Sequence, residues 1–249
     1  MHDTAPAAKA SAWLAQLAEA LQGRDIPAAM ELFAEDCYWR DLVAFTWNVK
    51  TVEGKPAIAA MLDATLAAAG PRDWKVTEAS GPEPIEALFT FATVAGRGSG
   101  IFTLENGKCR TMLTTLQSLN GHEEPLGPHR SNGVRHGADR NRATWSEQRA
   151  AEEAAYENGT DPYCLIIGGG QGGIMLGARL KQLGVPTVIV ERKAKAGDSW
   201  RNRYRSLVLH DPVWYDHLPY IPFPANWPVF TPKDKMGDWL EIYAKAMEI

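Results

Sequence analysis

The chain has 249 residues, 45% of them hydrophobic, with a formal net charge of -4 at pH 7. That length is enough for two modest domains with apolar cores, and the acidic balance gives no electrostatic case for a nucleic-acid partner. Cys37, Cys109 and Cys164 are widely separated and odd in number, which fits neither a disulfide framework nor paired metal ligands. A reducing, cytoplasmic compartment is the expected setting. Met1 to Lys9 lack the apolar segment of a signal peptide, and no run is long enough to cross a membrane, so no membrane partner is expected.

The first half opens with helical periodicity. Trp13, Leu14, Leu17 and Leu21 predict an amphipathic helix over residues 10–22, ended by Gly23. A second helix is expected from Ile26 to Ala34, capped by Asp25, with Pro27 tolerated near its start. Cys37 to Leu42 reads as extended, and Pro56 to Ala69 as a third helix stopped by Gly70-Pro71. The period then changes. Trp74–Ala79, Ile85–Ala95, Gly100–Leu104 and Arg110–Leu119 read as strands, with the hairpin signal Asn106-Gly107 between the last two.

Three helices followed by a curling antiparallel sheet resemble the α+β cone of the nuclear transport factor 2 and ketosteroid isomerase families, over residues 10–122. The resemblance rests on element order more than on motifs. Members of that fold class often enclose a pocket, and some use an acid as a base, so Asp36 and Asp41, with Trp39 and Trp47 nearby, are candidates. The competing reading makes Asp36 a helix-end or turn residue and the tryptophans core, and it is favoured. An interaction or dimerisation role for this first domain, residues 1–122, a homodimer among the options, is expected over a catalytic one.

A linker follows. Gly121 to Asn141 holds four glycines, two prolines and Arg130, Arg135 and Arg140. His122, His129 and His136 recur every seven residues, which is not the i,i+4 spacing of a zinc-binding helix, so no metal site is expected. Thr144-Trp145-Ser146-Glu147 fits a capping box and predicts a bridging helix ending near Asn158-Gly159, within a linking segment of residues 123–159.

The run Cys164-Leu165-Ile166-Ile167-Gly168-Gly169-Gly170-Gln171-Gly172-Gly173 carries the chemistry. Leu165 to Ile167 read as a strand buried on both faces, with Cys164 buried alongside. Gly168, Gly170 and Gly173 fit G-x-G-x-x-G: a tight turn, close approach of a pyrophosphate, and close packing of helix on strand. A helix from Gln171 to Leu183 would aim its unpaired N–H groups at that pyrophosphate. Thr187 to Val190 is the next strand, and Glu191 closes it 21 residues after Gly170, where a carboxylate can accept from ribose hydroxyls. These residues imply an ADP moiety and leave open whether it belongs to FAD or to a nicotinamide cofactor.

The segment from Glu191 through Gly197-Asp198-Ser199-Trp200-Arg201 to Leu209-His210-Asp211-Pro212 resembles the flavin-containing monooxygenases, most closely the indole-pyruvate monooxygenase-like branch. Phe230-Thr231-Pro232-Lys233-Asp234 and Trp239 to Ala244 extend the resemblance over residues 160–249, the start of a doubly wound α/β FAD-binding domain. Asp198 stands where the family usually has a glycine, and Gln171 where it often has proline. The resemblance implies FAD as cofactor. It also implies Gly168, Gly170, Gln171, Gly172, Gly173, Glu191, Arg192, Ser199, Trp200 and His210 as its binding residues, and oxygenation of a small organic substrate driven by NADPH and O2. No second G-x-G-x-x-G is present to hold NADPH, no side chain can be named as the catalytic acid or base, and the chain reads as an N-terminal fragment of such an enzyme. A flavin- or nicotinamide-dependent reductase without oxygen transfer, and a non-catalytic interaction module built on the cone, are the rival classes. Tyr204 to Phe230, with prolines at 212, 219, 222, 224 and 228, reads as a rigid covering loop, followed by a helix from Lys235 to Ile249.

Overall fold

The computed structural model describes residues 4–133 and 137–249 and divides into two compact units, residues 1–123 and 124–249. His136 and Arg135 lie outside the described residues; His122 and His129 are exposed.

The first unit carries α1 (Thr4–Gln22), α2 (Ile26–Glu31), β1 (Phe33–Leu42), β2 (Val49–Glu53), α3 (Gly54–Ala69), β3 (Arg72–Ser80), β4 (Ile85–Ala92), β5 (Gly96–Glu105) and β6 (Lys108–Leu119). Asp25 caps α2 by accepting from the Ala28 N–H, as its position predicts. That helix stops at Glu31, not Ala34, because Phe33 onward pairs with β6, and the Cys109 N–H donates to the Leu32 carbonyl. The first helix starts six residues earlier than its apolar spacing suggests, since alanine-rich sequence before Ala10 is itself helix-favouring. Strand β2 has no counterpart in the sequence reading: four of its five residues are exposed, so it lacks an apolar signal.

The six strands form one curved sheet in the order β2-β1-β6-β5-β4-β3. It is antiparallel except between β1 and β6, which run parallel from Phe33 opposite Cys109 to Leu42 opposite Thr115. Asn106 and Gly107, at φ 51° and 74°, make the two-residue turn that joins β5 to β6. Aromatic side chains fill the space between helices and sheet: Trp13 lies 4.6 Å from Phe102, and Trp39 5.4 Å from Phe45, measured between ring centres.

The second unit holds α4 (Trp145–Glu157), β7 (Cys164–Ile167), α5 (Gln171–Gln182), β8 (Thr187–Val190), α6 (Asp198–Arg201) and α7 (Lys233–Ala246). The capping box forms: Thr144 accepts from the Glu147 N–H, and the Glu147 carboxylate accepts from the Thr144 N–H. Trp145 Nε1 then donates to Glu248 at 2.7 Å, joining α4 to the end of α7. Strands β7 and β8, connected through α5, pair in parallel, with Cys164 opposite Thr187 and Ile167 opposite Val190.

The β7 strand departs from the expected burial on both faces. Ile166 is buried, whereas Leu165 and Ile167 are 56% and 86% exposed, and Cys164 is only half-buried. Alternate residues of a strand point to opposite faces, and in this two-stranded sheet α5 covers one of them. Gly177 of α5 sits so close to β8 that a Cβ there would come within 2.6 Å of Ile189 Cδ1. The apolar centre of the unit lies instead between α7 and the proline-rich loop, where Trp239, Leu240 and Tyr243 meet Leu209, Leu218 and Phe223. No described helix is long and apolar enough to cross a membrane.

Candidate nucleotide-binding site

The glycine turn joins β7 to α5, and each glycine of the pattern has a separate reason in the geometry. Gly168 has φ 107°, a conformation that a residue with a Cβ rarely adopts, and its N–H bonds the Val190 carbonyl at 2.8 Å. Gly173 packs the helix against the turn: a Cβ there would lie 1.9 Å from the Gly168 carbonyl oxygen. Gly170 is the N-cap of α5 in an extended conformation, and a Cβ there would meet no heavy atom within 4 Å. The first helical bond is Ile174 N–H to the Gly170 carbonyl, so the N–H groups of Gln171, Gly172 and Gly173 have no partner within the helix. Open space in front of unpartnered first-turn N–H groups is the arrangement an anionic pyrophosphate requires.

Glu191 is drawn onto this turn. One carboxylate oxygen accepts from the Gly169 N–H at 2.7 Å and the other from the Lys193 N–H at 2.7 Å. Those two backbone bonds, Lys193 first, hold its carboxyl below the usual carboxylate range, so it stays an acceptor at neutral pH. A carboxylate has about four lone-pair positions, and two bonds leave room for hydroxyl donors. Arg192 beside it is exposed, as is Ser199. The residues present therefore fit the ADP half of a dinucleotide.

Gln171, the first residue of α5, accepts from Trp200 Nε1 at 2.7 Å, which ties the glycine turn to α6. Gln171 and Trp200 both line a cavity of about 360 Å³ whose wall also includes Met175, Leu209, Asp216 and Met236. His210 stands on its rim with a side chain 94% exposed, 3.5 Å from Asp211, so it is not a packed residue. The structure thus brings Gln171, Trp200 and His210 to one cavity and Gly168–Gly173 and Glu191 to one turn.

Asp198, at the position where the resemblance leads one to expect glycine, opens α6 and pairs with Arg201 at 3.0 Å. Arg201 also reaches Asp238 at 2.8 Å and Glu241 at 2.9 Å, while Lys195 bonds Glu241 at 2.8 Å. Lys195 and Lys245 hold the Glu241 carboxyl at about 2. This ion-pair group and the Gly197–Gly237 contact, where a Cβ on Gly197 would lie 2.0 Å from the Gly237 oxygen, dock the segment after Glu191 on α7. Sequence spacing does not reveal it, because its members lie about 40 residues apart; a second glycine inside α7 is the one visible signal.

The acids singled out in the first unit do different work. Asp36 lies in β1, not at a helix end or turn, and pairs with Arg110 at 3.2 Å on the surface. Asp41 is fully buried and accepts from the Phe45 and Thr46 N–H groups and from the Thr46 and Thr114 hydroxyls, at 2.7 to 3.2 Å. Thr114 in turn accepts from Trp39 Nε1 at 2.9 Å. A carboxylate with every near donor committed is a structural anchor for the β1–β2 connection. Trp39 is core, as expected; Trp47 is 64% exposed.

Residues 14–112 match the SnoaL-like domain and residues 162–211 a FAD binding domain. The chain joins a SnoaL-like domain to the start of a FAD-binding domain. A CzcO-like oxidoreductase of Geobacillus kaustophilus is 40% identical over 85 residues, 34% of this chain and 24% of that protein. Indole-3-pyruvate monooxygenase YUCCA1 of Oryza sativa subsp. japonica is 37% identical over 86 residues, 34% of this chain and 21% of that protein. The chain thus spans about a quarter of the length of the curated relatives it matches. Among solved structures, a flavin monooxygenase from Stenotrophomonas maltophilia is 26% identical with TM-score 0.32, covering 35% of this chain and 26% of that one. An NTF2-like protein of Cytophaga hutchinsonii is 13% identical with TM-score 0.32, covering 42% of this chain and 87% of that one.

Proposed function

We propose that this chain binds FAD in its second unit and belongs to a monooxygenase that uses NADPH and O2 on a small organic substrate. The observation that carries the reading is the bond from the Gly169 N–H to Glu191, which sets an acceptor for ribose hydroxyls beside the open space at Gly170. When bound, FAD supplies the redox chemistry, taking electrons from a nicotinamide and passing them to oxygen. The residues of this chain bind and orient it. The N–H groups of Gln171, Gly172 and Gly173 face the pyrophosphate, Glu191 accepts from the ribose, and Trp200 and Gln171 hold each other in place at the mouth of the cavity. Arg192 and Ser199, both exposed, are assigned to the cofactor's outer contacts, and His210 to the cavity rim. The relatives' printed activities support this reading, and the SnoaL-like unit, with its aromatic-filled interior, is assigned to homodimerisation.

The test is binding first and turnover second. FAD titrated into the purified chain is expected to lose fluorescence saturably, with ADP competing for the same site. With the enzyme of full length, NADPH oxidation should be matched by an oxygenated product; NADPH oxidation with no oxygen transferred would assign the reductase class instead. Absence of saturable FAD binding overturns the proposal.

A further inference from the structure

The sheet of the first unit packs its helices on one face, α1 against β3 at one edge and α3 against β1 and β2 at the other. Across the opposite face the strand register aligns a row of outward side chains: Arg40 on β1, Leu113 on β6, Ile101 on β5, Leu88 on β4 and Glu78 on β3. Directly opposed residues of neighbouring strands share a face, and the alternation with buried Trp39, Met112, Phe102 and Phe89 fixes which face this is. Leu88 is 42% exposed, Ile101 and Leu113 are half-buried, and Arg40 and Glu78 stand in solvent at the two ends of the row. Among the described residues Glu78 pairs with no cation and Arg40 with no anion; Arg40 reaches only the Thr51 hydroxyl, at 3.5 Å. The two cannot meet within one chain, because β6, β5 and β4 lie between their strands and strand spacing keeps their backbones roughly 19 Å apart.

We propose that a second copy of this chain docks on this face, related to the first by a two-fold axis that runs along β5 past Ile101. The inference rests on the homodimer reading of the first unit and gives it a surface, a register and an axis. Reading outward from Ile101, each side of the row has a leucine and then a charge, and the two charges are opposite. A two-fold lying between the sheets and parallel to the strands carries each position to the one equally far on the other side of β5. It sets Ile101 on its own counterpart, Leu88 of each copy on Leu113 of the other, and Arg40 of each copy against Glu78 of the other. A two-fold crossing the strands would instead stack Arg40 on Arg40 and Glu78 on Glu78, so charge selects the first arrangement. The rows on either side carry short side chains, Thr90, Ser99 and Thr115 on one, Thr103 and Thr111 on the other. Short side chains let two sheets reach the roughly 10 Å spacing of a packed sandwich. The contact is then an apolar strip inside a polar rim, the anatomy of a specific interface. Arg97 and Glu105 stand at the two ends of β5, where the convex outer surface of the curved sheet carries each away from its own counterpart.

The experiment is sedimentation equilibrium of the whole chain over a concentration series, for the wild type, Arg40→Glu, Glu78→Arg and the protein carrying both reversals. The wild type is expected to be a dimer. Either single reversal sets like charges against each other at both ends of the contact and should weaken the dimer roughly ten- to a hundredfold, an effect that shrinks with added salt. The two single variants mixed in equal amounts restore opposite charges at both ends and should associate again, and the doubly reversed protein should dimerise by itself. A misfolded variant does neither, so rescue separates a lost contact from a lost fold. A wild-type chain that stays monomeric leaves the face to a partner of another kind, and it overturns the homodimer reading together with this proposal. A wild-type dimer indifferent to both reversals, or single variants that fail to rescue each other, keeps the homodimer and refutes the face and the axis.

Discussion

Two glycines three residues apart should respond to substitution in opposite ways. At Gly173 a methyl group would sit 1.9 Å from the Gly168 oxygen and 3.0 Å from its carbon, and both belong to the backbone of the turn. The turn cannot step aside without breaking the Gly168 N–H bond to Val190. Overpacking of this kind costs about 1–3 kcal/mol, and because backbone meets backbone Gly173→Ala belongs at the upper end. Gly170 is the contrary case. Its φ of -73° suits any residue, a Cβ there meets nothing within 4 Å, and it is the N-cap of α5. Serine is the better cap by a few tenths of a kcal/mol, so Gly170→Ser should leave stability unchanged or slightly raised. The same hydroxyl takes up a first-turn N–H and fills the space for the pyrophosphate. Loss of one charge-assisted bond, about 1.5–3 kcal/mol, predicts ADP and FAD affinity lowered roughly ten- to a hundredfold. Hydrogen exchange across residues 164–190 reads the stability of this unit separately from the first, and calorimetric ADP titration reads binding. If Gly173→Ala leaves exchange untouched, or if Gly170→Ser loosens the fold or spares binding, the assignment of roles within the pattern is refuted.

Asp41→Ala should destabilise the first unit by about 3 kcal/mol or more, because it strips several buried donors at once; chemical denaturation followed by the fluorescence of core Trp39 measures it. The depressed pKa of Glu191 implies order of the turn that is present above the ordinary glutamate pKa and lost as pH falls through the lower folded value. The amide resonance of Gly169, which donates to that carboxylate, should shift over that acidic window and stay fixed in Glu191→Gln. Limited proteolysis is expected to cut first between Gly121 and Asn141, and mass spectrometry of the early fragments checks it; early cleavage inside β4 to β6 would contradict separate folding of the two units.

The parts legible in the sequence are those decided by a few neighbouring residues. The Asp25 cap, the Thr144–Glu147 box, the Asn106-Gly107 turn and the glycine spacing each satisfy backbone groups within four or five positions, so local chemistry suffices. What escaped depends on distant partners. Strand β2 exists because β1 offers it an edge, and α2 ends early because β6 claims Phe33. The exposure of Leu165 and Ile167 follows from which face α5 covers, and an apolar run of three residues says nothing about coverage. At the candidate site the turn and Glu191 were readable, while the ion pairs from Arg201 to Asp238 and Glu241 were not, since their partners lie about 40 residues away in sequence.

The contact between Gly197 and Gly237 works as a gauge block for the cavity. Trp200 rides on α6, three residues after Gly197, and Met236 on α7, immediately before Gly237; both stand in the cavity wall. With no side chain between them, the two backbones are held at a spacing set by bare peptide, which the Arg201 ion pairs clamp shut. A methyl added at Gly197 would meet the Gly237 backbone at 2.0 Å and push α6 and α7 apart, and with them the two cavity-wall residues they carry. The width of the cavity is therefore set in part by two glycines that do not line it.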